Sequence, residues 1–263
     1  MPEPATSRFV VVGCGTVVPE ADRACSAYWL ETGDVRALLD CGPGALQAMA
    51  RLALPWQAVT DLVLTHFHAD HTGALPGLLF ALTWGLLPDR REAPLTVHGP
   101  PGTIRLFEAL ASAFGEFVLD PGFEVRIEES EPGSTSLLAE GVRLETHSTP
   151  HTDESRELRI DLTEARIGYT GDSGPSDTLP AFLEGCDLLV SECSLPDSHA
   201  IETHLSPSSV ARLASESKPN CLLLTHVYPQ LRAAVDVPTL VRRAGWTGGI
   251  EMAVEGWERS FPR

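Results

Sequence analysis

Three histidines and an aspartate crowd into the segment His66-Phe67-His68-Ala69-Asp70-His71. Imidazole and carboxylate are the ligands left for zinc when cysteine is absent, and the same set accepts manganese or iron. His66 and His68 alternate, so an extended loop points both to one side. Asp70 and His71 come next, at the start of a helix-like run, and point into a neighbouring pocket. The spacing suits two adjacent cations better than one. Such a pair supports hydrolysis, because a coordinated water ionises near neutral pH. A chance surface cluster is the competing reading. Against it, ligand-type residues recur downstream in similar settings.

Those settings are the ends of apolar strands. Residues 8–13, 27–32, 36–41, 60–66 and 94–99 are apolar runs bounded by turn residues and predict strands. Residues 44–54, 71–87 (with Pro76 inside) and 103–114 have helical spacing. The second half predicts strands over 123–129, 141–148, 158–162, 165–172, 186–193 and 220–226, and helices over 176–185 and 206–217. A His or Asp follows the strand end at His66, Asp172 and His226, and His151 lies in a loop after a strand. Mixed β-sheets covered by helices account for this order. With no linker or repeat, residues 1–263 are expected to form one domain.

The cluster His66 to His71 resembles the HxHxDH signature of the metallo-β-lactamase superfamily. Pro150-His151-Thr152, Thr170-Gly171-Asp172-Ser173-Gly174 and Leu222 to His226 match its later motifs in order. The resemblance implies a four-layer αβ/βα sandwich with the metals at one edge between two mixed β-sheets. It implies one metal on His66, His68, His151 and Asp172, and a second on Asp70, His71, Asp172 and His226. His147 is the rival to His151, which has the family's preceding proline.

The opening stretch GCGTVVPEADRACSAYWLE, followed by LLDCGPGALQAM, is similar to the tRNase Z (ribonuclease Z)-like branch. Thr203-His204-Leu205-Ser206-Pro207 places His204 on that branch's extra active-site histidine. Glu192 falls on its acidic residue, but Ser191 stands where the branch has histidine. By this resemblance Asp70, His204 and Glu192 would be catalytic. The tRNA-binding arm of the processing enzymes would lie between His151 and Asp172, which are only 21 positions apart here. The implied function is a dinuclear-metal phosphodiesterase, zinc first and Mn2+ or Fe2+ as alternatives, acting on small or short nucleotide-type diesters through a metal-activated hydroxide. A lactonase or thioesterase activity, or tRNA 3′-end processing without the arm, is the alternative.

Composition narrows the partners. The formal charge is −17, from 36 acidic and 19 basic residues, and Lys218 is the one lysine. Broad nucleic-acid binding wants clustered cations, and no basic cluster exceeds an arginine pair. The six cysteines form no CxxC pair. No segment reads as a signal peptide or a bilayer span, so a cytoplasmic setting without membrane attachment is expected. A homodimer is compatible with the resemblance, and the sequence singles out no apolar patch for it.

Overall fold

The structure is a computed structural model and describes residues 6–262. In β1 (Ser7–Gly13), Phe9 and Val11 enter one buried cluster while Val10 and Val12 enter another. A strand buried on both faces reads as a continuous apolar run rather than an alternating one. The neighbouring strands β2 (Ala27–Thr32), β3 (Val35–Leu39), β4 (Asp61–Val63), β5 (Leu95–Gly99) and β6 (Val125–Glu129) build outward from it. The second half supplies β7 (Thr135–Ala139), β8 (Val142–Ser148), β9 (Arg156–Asp161), β10 (Arg166–Tyr169), β11 (Leu188–Glu192), β12 (Cys221–Thr225), β13 (Gly249–Met252) and β14 (Glu258–Phe261). One seven-stranded sheet has the order β14-β1-β2-β3-β4-β5-β6; the other runs β13-β12-β11-β10-β9-β8-β7. Both mix parallel and antiparallel pairs.

Phe9, Tyr28 and Leu39 of the first sheet meet Leu144, Leu158 and Leu223 of the second in the central layer. The other face of the first sheet is covered by α1 (Ala45–Arg51), α3 (Leu75–Trp84) and α4 (Thr103–Phe114). The other face of the second sheet is covered by α5 (Leu179–Phe182), α6 (Pro207–Ser217), α7 (Pro229–Ala234) and α8 (Val237–Arg243). This is the expected αβ/βα sandwich of two mixed sheets.

The helix expected over 71–87 is two helices. α2 (Ala69–Thr72) stops at Gly73, and α3 begins afresh with Pro76 in its first turn, where the missing N–H costs nothing. The helix expected over 176–185 shrinks to α5. The edge strands β7, β13 and β14 and the short helices α7 and α8 escape the sequence reading, because half-exposed edges carry polar residues that blur the pattern. No helix among the described residues is long and apolar enough to cross a membrane.

His147 and Glu157 face each other across β8 and β9. Glu157 is fully buried; His147 Nδ1 lies 3.1 Å from its Oε1, yet neither oxygen makes a hydrogen bond. Burial pushes the Glu157 carboxyl up to about 8 from the usual 4.5, and His147 opposes the shift only in part. A carboxyl with a raised folded pKa binds its proton more tightly in the native state. The stability it gives is complete below pH 4.5 and is lost as pH rises through about 8. His147, raised mainly by Glu157, has the same sign. Glu157→Gln is therefore expected to be stabilised over the parent at alkaline pH, by at most about 5 kcal/mol, and nearly neutral in acid. Thermal melts of both proteins on the two sides of that window check this; an equal change at both pH values would remove it.

Candidate metal centre

The site lies where strands of both sheets end. Beyond β4 the chain leaves the first sheet through Thr65 and His66, crosses His68, and turns into α2 at Asp70 and His71. The loop between β8 and β9 brings His151, the turn after β10 brings Asp172, and the end of β12 brings His226. Close backbone approach is required: a Cβ on Gly42 would fall 2.1 Å from the Asp70 carbonyl oxygen. Asp40 and His226 adopt left-handed φ values of 55° and 51°. Such conformations cost on the order of 1–3 kcal/mol for non-glycine residues and gather at functional sites.

All seven residues singled out in the sequence as metal ligands come together. Ligand atoms of His66, His68, His151 and Asp172 lie within 4.8 Å of one another, and so do those of Asp70, His71, Asp172 and His226. Asp172 joins the two sets through different oxygens. Its Oδ1 is 3.3 Å from His71 Nε2 and 3.5 Å from His226 Nε2. Its Oδ2 is 3.6 Å from His151 Nε2 and 4.0 Å from His66 Nε2. Asp70 Oδ2 is 3.3 Å from His226 Nε2.

Four imidazoles are turned the same way by outer partners. His71 donates from Nδ1 to Asp40 Oδ2 at 2.7 Å, and His151 from Nδ1 to the Thr203 carbonyl at 2.9 Å. Thr65 gives its hydroxyl proton to Asp40, so its oxygen accepts from His66 Nδ1 at 3.0 Å. Ser194 gives its proton to Glu192, so its oxygen accepts from His226 Nδ1 at 3.0 Å. Each bond fixes a tautomer with the Nε2 lone pair aimed at the shared centre. Only His68 has no such tether; its Nδ1 sits 3.0 Å from His151 Nε2.

Three buried atoms in the centre, His66 Nε2, His71 Nε2 and Asp172 Oδ1, make no hydrogen bond. An orphaned buried polar atom is costly, and oriented lone pairs around a carboxylate are what divalent cations satisfy. The residues therefore fit two metal ions. The electrostatics agree. Burial and the neighbouring imidazoles hold the His66 pKa far below its usual value. Burial opposes charge on His71 too, but Asp172 and Asp40 outweigh it and raise its pKa well above 6.5. The pocket thus favours positive charge at that point, and a cation can take the place of the proton.

His204 stands at the rim, its ring 4.8 Å from that of His151 and 6.0 Å from that of His226. It donates from Nδ1 to Glu192 Oε1 at 2.9 Å. Burial opposes its protonation, but the Glu192 bond outweighs this and raises its pKa. Glu192 is fully buried and also accepts from Ser173 N, Leu205 N and Ser194 Oγ. His147, the rival to His151, is paired with Glu157 instead. Asp40, Thr65, Ser194 and Tyr169, whose hydroxyl donates to Asp40, were not legible as site residues. Asp40 carried the one available signal, an acid at a strand end inside the quoted LLDCG run. Tyr228, whose ring lies 6.0 Å from that of His226, carried none.

This chain belongs to the beta-lactamase superfamily, whose domain matches residues 35–227. It is a metal-dependent hydrolase with ribonuclease Z relatives. It is similar to Ribonuclease Z of Haloferax volcanii, at 26% identity over 97% of this chain and 95% of that one. That alignment runs over 311 positions, more than this chain has residues, so the relative carries residues without a counterpart here. An uncharacterized protein of Mycobacterium tuberculosis is 34% identical over 84% of this chain and 81% of its own. Among solved structures, the metallo-beta-lactamase fold protein YhfI of Bacillus subtilis superposes with a TM-score of 0.82 at 25% identity, over 97% of this chain and 99% of that one.

Proposed function

We propose that the protein is a dinuclear zinc phosphodiesterase acting on small or short nucleotide-type diesters. The observation that carries this is the Asp172 carboxylate, with one oxygen toward each four-residue ligand set. His66, His68, His151 and Asp172 would hold one cation; Asp70, His71, Asp172 and His226 would hold the other. Bound there, two zinc ions would supply Lewis-acid stabilisation of a phosphoryl group and an activated water.

The chain's own residues do the rest. Asp40 keeps the proton of His71 on Nδ1, and Ser194 keeps that of His226 on Nδ1, so neither ligand can rotate away. Asp70, at the edge of the second set, faces the substrate side and can orient the attacking water or accept its proton. His204, held by Glu192, presents Nε2 to a phosphoryl oxygen or to the leaving group. A cavity of about 490 Å³ ends at Asp70, with Val17, Pro19, Pro43 and Gln47 on its walls. Arg23 also lines it and forms no ion pair among the described residues, whereas its neighbours Glu20 and Arg51 are paired with Arg232 and Glu255. Arg23 donates to Cys14 Sγ and the Ala253 carbonyl, so its charge is held in place at the wall without a carboxylate partner, and a largely apolar cleft with such a cation suits an organic phosphate of small size. The hairpin of β9 and β10 occupies the space between His151 and Asp172 and offers no extended arm for a folded tRNA.

The test is turnover of a bis-aryl phosphate diester by the purified protein, after chelation, and after zinc is returned. Activity that vanishes and recovers is the expected result. No turnover by a protein that holds two metal equivalents would move the reading to lactones and thioesters.

A further inference from the structure

After Trp29, the largest fully buried side chain among the described residues is an arginine, Arg156. Arginine is almost never fully buried unless it is paired. The guanidinium of Arg156 bonds to no carboxylate. Its Nε donates to the Leu64 carbonyl at 2.9 Å, Nη1 to Ser130 Oγ at 2.9 Å and Nη2 to the His98 carbonyl at 2.8 Å. Its backbone N–H donates to the Thr65 carbonyl at 3.1 Å. Taking a charge out of water is costly, and an apolar side chain of similar volume would fill the same space without that cost. The acceptors show what the charge does.

Leu64 follows β4, His98 lies near the end of β5, and Ser130 follows β6. These strands are parallel neighbours in the first sheet, so their C-terminal ends share the edge at which His66 emerges. Arg156 is the first residue of β9, in the second sheet. Its side chain therefore crosses between the sheets and ties three strand ends to the start of a fourth strand. Leu64 and Thr65 immediately precede His66, and the loop that ends at Arg156 carries His151. The rings of His66 and His151 are 4.9 Å apart. His71 and His226 are held instead by Asp40 and Ser194, neither of which accepts from Arg156. A guanidinium offers donors in a rigid planar fork and reaches several acceptors at fixed angles, which a lysine ammonium on a flexible stem does not.

We propose that Arg156 is a positioning residue for the first ligand set: its bonds across the sheets fix the separation of His66 and His151, and with it the affinity for the cation these two would share with His68 and Asp172. The inference rests on the two-cation reading above. Outer partners of metal ligands commonly set affinity in this way, by limiting how far a ligand can drift. Arg156 does so through the backbone on either side of the gap rather than through a ring nitrogen.

Stepwise zinc binding to the metal-free full chain, followed by titration calorimetry, tests this, with cadmium NMR on the same proteins to tell the sites apart. The parent protein is expected to bind two cations and to give two cadmium resonances. His151→Ala, which removes a ligand from the first set alone, assigns one of them. Arg156→Lys keeps the charge and loses the fork. It is expected to weaken one binding step by about 10–100-fold, to disturb the resonance that His151→Ala assigns, and to leave the other step nearly unchanged. If that variant does not fold, Ser130→Ala removes one of the three bonds and should weaken the same step by less; no change in that step overturns the proposal. Parent-like binding of both cations by folded Arg156→Lys overturns it as well. So does an equal loss at both steps, which a general loosening of the fold would give. A parent protein that binds fewer than two cations overturns the two-cation reading and this proposal with it, whereas a contrary result in the variants alone overturns only the role of Arg156.

Discussion

Asp172→Ala is expected to abolish turnover and to take the protein below two metal equivalents per chain. No other residue stands in both ligand sets, with Oδ1 toward His71 and His226 and Oδ2 toward His66 and His151. Its carboxyl is also held far below its usual pKa: burial opposes ionisation, but His226 and His71 outweigh it. On the proposed assignment, losing that charge would remove a ligand from each cation and leave several buried imidazoles facing an apolar methyl. Metal assistance is worth several kcal/mol, so the loss in kcat should exceed about 10³-fold. Metal analysis and steady-state kinetics on one preparation read both effects. Two full equivalents in the variant would contradict the bridging role. Asp172→Asn, which keeps the shape without the charge, should resemble alanine more than the parent.

His204→Ala is expected to lower kcat by about 10²–10⁴-fold with metal content unchanged. The separation of effects follows from geometry. His204 is excluded from both of those ligand sets, and its Nδ1 is committed to Glu192. The loss should be larger for a diester with a poor alkyl leaving group than for one with a nitrophenolate, if His204 protonates the departing oxygen. An equal loss for both would assign it to the phosphoryl oxygen. Loss of metal in the variant would sink the division of roles. His204, Glu192 and His226 do have ligand atoms close enough to share an ion, so this is a real test.

β4 and β12, which lead to His66 and His226, were legible because they are buried on both faces and read as apolar runs, whereas β8, before His151, was legible as an alternating strand. The ligands were legible because a few side-chain types suit a cation, and their motifs are short and ordered. What the sequence hid lies at longer range. Asp40 sits 25 positions before Thr65 and 129 before Tyr169, and nothing local says that it receives hydrogen bonds from both and from His71. Arg156 was hidden differently. An arginine at a strand start reads as exposed in sequence, and only the packed sheets show that its acceptors lie at three strand ends of the other sheet.

The division of the ligands between the sheets sets an order of events during synthesis. On the proposed assignment the first four-residue set waits for Asp172, and the second waits for His226, the last of the seven ligands in sequence order. β1 cannot complete its pairing until β14 has been made. A ribosome-bound chain that has exposed His66, His68, Asp70 and His71 holds only a fragment of each set. Metal loading then waits until the segment carrying His226 has emerged and β12 has joined its sheet. Chains truncated before His226 would carry loose metal-binding side chains without a catalyst.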